Sequence, residues 1–326
     1  VVIPMQLNSN FTLLYPVQVD WEKFTAYRPD IPFSDEVIEF LNILSGGILK
    51  DRNSRLYPDV ITFAFFCRKA NLQKLKGEYV HEELRLGRGV LFHIAPSNVP
   101  INFGYSLVAG LLSGNINIVR VSSKQFPQVD LIIKHLHEIL KSELYDEVAN
   151  RIVLVRYDRT SDANAYFSSI ANVRVIWGGD TTIATIRQSA LPARSFDVCF
   201  ADRYSIAAIN PTAIISATDV EMKRLAEAFY NDTYLFDQNA CSAPHTIFWL
   251  SADCLEAAKD RFWNTFHDYV LSKYQLQAVM SVDKLTAFYR QAICVNVKIQ
   301  DMPDNLVFRT AVSYTHLRAH ETELHL

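Results

Sequence analysis

The chain has 326 residues, 32 Lys and Arg against 35 Asp and Glu, and a net charge of −3. That balance carries no basic footprint for nucleic acid, and hydrophobic and charged shares of 49% and 21% exclude a disordered chain. Ten glycines are too few for a collagen-like or Gly-rich linker class.

The length allows about two domains at roughly 100–200 residues each. Cys67, Cys199, Cys241, Cys254 and Cys294 are widely spaced and odd in number, with no CxxC. Neither a zinc knuckle nor a disulfide framework is suggested, and a reducing cytoplasm fits. No apolar run reaches the roughly 18 residues of a membrane span. The longest, Ile101 to Val121, is broken by Asn102, Ser106, Ser113, Asn115, Asn117 and Arg120. The opening VVIPMQLN has neither an initiator Met nor a signal pattern, and reads as a start inside a longer protein.

Residues 1–33, with Pro4, Pro16, Pro29 and Pro32, read as an irregular arm lying on a core. Ser34 is expected to cap a helix carrying Val37, Phe40, Leu41 and Leu44, with Gly46-Gly47 stopping it. A second helix is predicted over 58–76, with Pro58 in its first turn and Gly77 after its end. From Gly89 the rhythm changes. Apolar runs at 89–95, 117–121, 152–155, 173–177 and 205–209 predict five strands. Helices are expected between them, near 100–113, 127–140, 161–170 and 181–189. Such alternation predicts a doubly wound parallel sheet, covered on both faces. Ligands of such sheets bind outside the carboxyl ends of the strands. Three exits carry turn chemistry there: Pro96-Ser97-Asn98, Val121-Ser122-Ser123 and Gly178-Gly179-Asp180. After Asn210-Pro211 come a helix over 219–234, a polar loop over 236–244, a strand over 245–250 and a helix from Ser251 to Leu271. A domain boundary is placed near 210.

Cys241 lies in the polar loop Asp237-Gln-Asn-Ala-Cys-Ser242, where a thiolate nucleophile would find exposure and donors. Read alone, it is better explained as a small buried hydrophobe. Asn98 could donate its carboxamide N–H to a developing oxyanion, or simply bond its own turn. Gly178-Gly179 would let a phosphate approach the backbone before a helix. No GxGxxG and no GxxxxGK[ST] occur. His245 reads as structural, and His135 and His137 do not share a helix face.

Together the blocks Gly89–Pro100, Gly110–Ser123, Val175–Asp180 and Asp237–Cys241 resemble the aldehyde dehydrogenase superfamily, most of all the acyl-CoA reductases of the LuxC type, which make fatty aldehyde for bacterial luciferase. The resemblance implies an aldehyde-dehydrogenase-like α/β fold: a doubly wound cofactor domain followed by an incomplete α/β catalytic domain. It implies Cys241 as nucleophile, with Asn98 and the Cys241 amide as oxyanion donors. It implies a cofactor contact along Ala95, Pro96 and Ser97, at Arg120, and at the turn of Gly178, Gly179 and Asp180. Ser123 stands where NAD-preferring members often carry a Glu against the ribose 2′-hydroxyl. Without that acid, Arg120, Ser122 and Lys124 could hold a 2′-phosphate, so NADPH is the expected cofactor.

The family's oxidising members use a Glu base to activate water. The matching stretch, Asp197 to Tyr204, holds no Glu, though Asp197 or Asp202 could lie near. The leading expectation is reduction of an acyl-CoA or acyl-carrier thioester. An NAD(P)-dependent aldehyde or semialdehyde dehydrogenase and a non-catalytic assembly subunit are the alternatives. Homo-oligomers, or complexes with acyl-transfer or synthetase subunits, are the implied partners. Ser313–Thr322 departs from the family and resembles translated adapter read-through; its His316 and His320 are discounted as zinc ligands with it. The expected division is 1–85 as N-terminal arm and helices, 86–210 as cofactor domain, 211–311 as partial catalytic domain and 312–326 as a non-native tail.

Overall fold

Runs of five buried apolar residues between turn residues have no face to give to water, so they build a sheet covered on both sides. The computed structural model describes residues 11–311, apart from 80–82, 97–98, 159–160, 202, 236–239, 277, 295–297 and 301–303. The chain divides into two units, Val1–Asp202 and Arg203–Leu326.

The first unit runs β1 (Thr12–Tyr15), α1 (Trp21–Ala26), α2 (Asp35–Lys50), α3 (Pro58–Phe66), α4 (Lys69–Glu78), β2 (Val90–Ile94), α5 (Asn102–Leu112), β3 (Ile116–Arg120), α6 (Pro127–Ile139), α7 (Asp146–Ala149), β4 (Ile152–Arg156), α8 (Ala163–Ile170), β5 (Val173–Trp177), α9 (Asp180–Arg187) and β6 (Phe196–Phe200). The sheet order is β1-β4-β3-β2-β5-β6. Strands β2 to β6 are parallel, and β1 is antiparallel on β4. Winding starts at β2, proceeds outward through β3 and β4, then returns to β5 and β6. The switch point therefore lies between β2 and β5, where open α/β sheets place ligands. Alternate strand residues serve opposite layers. Val119 and Leu154 join Phe40, Leu44, Phe63 and Leu107 in one core. Ile118 and Val153 join Phe92, Phe167, Ile176 and Ile183 in the other.

Four expectations about this unit are corrected. Helix α2 does not stop at Gly46-Gly47 but runs to Lys50. A Cβ on Gly47 would come within 3.3 Å of His135 Nδ1, so this glycine lets α2 approach α6, and burial of Leu44 and Ile48 outweighs its poor propensity. The helix expected over 58–76 is two, because extended Arg68 separates them; Asn42 Oδ1 accepts the Lys69 N–H at 3.1 Å and Asn71 Nδ2 donates to the Phe66 carbonyl at 2.8 Å. The arm supplies a strand, β1. Finally, the sheet's last strand is β6, not 205–209.

The second unit runs β7 (Ser205–Ile209), α10 (Pro211–Ser216), α11 (Asp219–Thr233), β8 (Pro244–Trp249), α12 (Leu255–Lys273), α13 (Ala278–Cys294), β9 (Lys298–Gln300) and β10 (Arg309–Ala311). Strands β7 and β8 pair in parallel, so β7 belongs here and the units part before it, not after it at 210. A capping box of Thr218 and Glu221 opens α11. Helix α12 starts after Cys254 rather than at Ser251. Residues 312–326, with His316 and His320, lie outside the described residues. No helix among the described residues is long and apolar enough to cross a membrane.

Candidate active site

The parallel register puts Ile94 of β2 opposite Arg120 of β3 and Ile176 of β5. The segments after these strands therefore leave the sheet along one edge. Backbone pairing continues one residue beyond the strands: Ala95 N–H donates to the Arg120 carbonyl at 3.3 Å, Val121 N–H to Val155 at 2.8 Å and Gly178 N–H to Phe200 at 3.2 Å. Ala95 and Pro96, Arg120 through Lys124, and Gly178 through Asp180 share that edge. Ser97 and Asn98 lie outside the described residues.

At the β3 exit, Arg120 Nη2 donates to the Tyr157 carbonyl at 3.3 Å and its guanidinium lies 4.9 Å from the Tyr157 ring centre. Burial raises the Tyr157 phenol, with the Arg120 charge opposing it. Ser122 is buried, and its hydroxyl accepts the Lys124 N–H at 3.1 Å. Ser123 and Lys124 are exposed. Sequence reasoning missed Arg156, the last residue of the neighbouring β4. Its Nε donates to the Ser122 carbonyl at 3.1 Å, and its buried Nη2 has no hydrogen-bond partner among the described residues. A buried donor without a partner is costly; Arg156 and Arg120 have opposite parity in the paired strands, so they serve opposite faces of the sheet.

At the β5 exit, Gly179 is the N-cap of α9 and makes no side-chain cap bond. Asp180 is the first helical residue and is exposed, its carboxylate at the positive end of the helix. The Gly178 N–H is taken by the Phe200 carbonyl, but the first amides of a helix have no partner within it, so the start of α9 after Gly179 presents donors that fit phosphate oxygens.

Asp197 is not free to act as a base. Arg174, 1% exposed, donates to it through Nε at 2.8 Å and Nη2 at 3.2 Å, and Arg187 through Nε at 3.1 Å. Burial alone would push the carboxyl up, but the bonds and charges of the two arginines hold it below the usual range. Asp202 lies outside the described residues.

In the second unit Cys241 is exposed, in the turn before β8. Ala243 N–H donates to the Ala240 carbonyl at 2.9 Å and closes the turn. Ser205 Oγ of β7 donates to the Cys241 carbonyl at 2.8 Å and anchors that peptide. Sequence reasoning missed this serine, because only the β7–β8 pairing brings it near. His245 packs its ring 5.4 Å from Tyr204, whose hydroxyl pairs with Thr246 Oγ1 at 2.7 Å. Cys67, by contrast, is fully buried, and burial raises its thiol well above the ordinary value.

A doubly wound α/β fold of this kind is shared with solved aldehyde dehydrogenases. Lactaldehyde dehydrogenase from Escherichia coli is 12% identical, with TM-score 0.55 over 82% of this chain and 60% of its own. Betaine aldehyde dehydrogenase from Staphylococcus aureus, solved with NAD+, is 16% identical, with TM-score 0.51 over 83% and 58%. PnpE, a Pseudomonas protein, in complex with nicotinamide adenine dinucleotide, is 14% identical, with TM-score 0.58 over 89% and 64%. The fold is thus that of the aldehyde dehydrogenases. A family profile described as Acyl-CoA reductase (LuxC) matches residues 68–260, more than half of the chain, and the chain belongs to that family. The long-chain acyl-protein thioester reductase 2 of Photobacterium leiognathi is 24% identical over 260 residues, 76% of this chain and 51% of its own. The chain therefore spans about half the length of that relative.

Proposed function

We propose that the protein reduces a long-chain acyl thioester, carried on CoA or on a protein, to an aldehyde by way of an acyl-enzyme on Cys241, with NADPH as reductant. The observation that supports this reading most is an exposed Cys241, in a turn anchored by Ser205, in a member of the acyl-CoA reductase family.

In this reading the Cys241 thiolate forms a bond to the acyl carbon, and the carbonyl electron pair moves onto oxygen. The Cys241 amide and the Asn98 carboxamide hold that charge; one such donor is worth about 3–4 kcal/mol. Collapse expels the donor thiolate and leaves the acyl group on sulfur, dividing one hard step into two. Arg120, Ser122, Ser123 and Lys124 would hold the 2′-phosphate. Ala95, Pro96, Ser97, Gly178, Gly179 and Asp180 would line the pyrophosphate and nicotinamide. When bound there, NADPH supplies hydride. Release of aldehyde restores the Cys241 thiolate. The commitment of Asp197 to two arginines supports reduction over hydrolysis, since it removes one candidate for activating water.

Incubation with radiolabelled long-chain acyl-CoA tests the reading. Label should appear on the protein and be lost in Cys241→Ala. Intact NADPH binding with no label in the unmodified protein would instead mark a non-catalytic subunit.

A further inference from the structure

One fully buried titratable group has no part in that chemistry. His93 lies in the middle of β2, 1% exposed, in a strand otherwise made of Val90, Leu91, Phe92 and Ile94. Its Nδ1 is 2.8 Å from Ser106 Oγ of α5, and its Nε2 is 3.0 Å from Asn117 Oδ1 of β3. Trp177, the last residue of β5, donates its indole N–H to the same Ser106 Oγ at 3.2 Å. Asn117 Nδ2 donates to the Asn115 carbonyl at 2.8 Å.

These contacts admit one consistent set of donors. Asn117 uses its Nδ2 hydrogens on backbone carbonyls, so its Oδ1 accepts and His93 Nε2 carries the proton. His93 Nδ1 then accepts from the Ser106 hydroxyl, whose oxygen accepts from Trp177. Every member is satisfied with the imidazole neutral, and burial, opposed by the Asn117 bond, lowers His93 to about 4. Gly110 is part of the design. A Cβ there would fall 1.8 Å from Asn117 Oδ1 and 3.0 Å from His93 Nε2, so only glycine lets α5 lie over the pair.

The chain of bonds ties together β2, β3 and β5, the three strands whose exits carry the candidate nucleotide contacts. It ends on the residue immediately before Gly178. The indole is held at its N–H by Ser106 and on one face by Phe200, the rings stacked at 3.9 Å and 11°. A buried polar network that is fully satisfied rigidifies its members.

We infer that His93 and Ser106 are positioning residues that fix the Trp177 indole, and through it the Gly178-Gly179 turn, as a preset wall of the nucleotide site. The inference rests on the reading that the nucleotide binds at this edge.

Fluorescence titration with NADPH tests it, exciting tryptophan and recording nicotinamide emission. Trp177→Phe keeps a ring against Phe200 and removes the N–H; Ser106→Ala removes the acceptor of the indole and the donor to His93. The protein should show energy transfer, Trp177→Phe should lose most of it, and Ser106→Ala should weaken NADPH about tenfold and change the transfer at saturation. The other three tryptophans, Trp21, Trp249 and Trp263, supply the background seen in Trp177→Phe. Unaltered affinity in both variants, beside normal binding by the unmodified protein, would overturn the inference alone. Absence of NADPH binding by the unmodified protein would overturn both it and the reading beneath it.

Discussion

The sheet edge of the first unit and the Cys241 turn of the second hold their reactive groups by opposite means. Behind the sheet edge, in the bodies of β2, α5, β3 and β5, His93, Ser106, Asn117 and Arg174 are at most 3% exposed and bonded on several sides. Their geometry is set by the same packing that forms the core. Cys241 is exposed, and among the described residues its turn is anchored to β7 by the Ser205 hydroxyl. Changes at the sheet edge should therefore cost stability first, whereas changes at the turn should cost chemistry at nearly constant stability.

The largest effect should come from Asp197→Ala. It leaves Arg174 buried without its counter-ion, a loss of about 3–5 kcal/mol, read from the urea midpoint of the first unit. Next is acid. A histidine whose folded value lies below its unfolded one stabilises above the unfolded value and loses that contribution as pH falls. His93, moved from 6.5 to about 4, should withdraw roughly 3 kcal/mol between those two pH values. Asp197, also held low, should add its own loss only at more acidic pH, below the ordinary carboxylate value. Hydrogen exchange in β2 and β3 checks the first of these, and uniform protection across that range would break the comparison.

Ser123→Glu should sharpen it from the ligand side. A carboxylate beside a 2′-phosphate should weaken NADPH about tenfold and leave NADH little changed. The smallest effect on stability should follow Ser205→Ala, within about 1 kcal/mol, while acylation of Cys241 slows severalfold. A Ser205→Ala protein that unfolds early yet acylates normally would reverse the contrast between the two regions.

The same contrast explains what the sequence could disclose. Strands β2 to β5 are legible because parallel strands buried on both faces read as unbroken apolar runs between turn residues. Strand β6 is hidden because it is the half-exposed last strand of the sheet, and its Asp197 is explained only by Arg174, 23 residues away. Strand β1 is hidden because four residues carry little signal, and only pairing with β4 marks them as a strand. Gly46-Gly47 mislead because a glycine that permits close packing and one that ends a helix look alike. The exits after β2, β3 and β5 are legible as turns, and Cys241 as a polar-loop thiol. Arg156, Ser205 and the His93 network are not, since each role depends on partners brought near by strand pairing or helix packing.

The central claim is that the acyl group on Cys241 meets hydride rather than water. A chase of the labelled acyl-enzyme, with and without NADPH, measures it directly. The label should leave rapidly as aldehyde when NADPH is added and only slowly in buffer alone. Release as free acid at one rate in both chases would contradict the account.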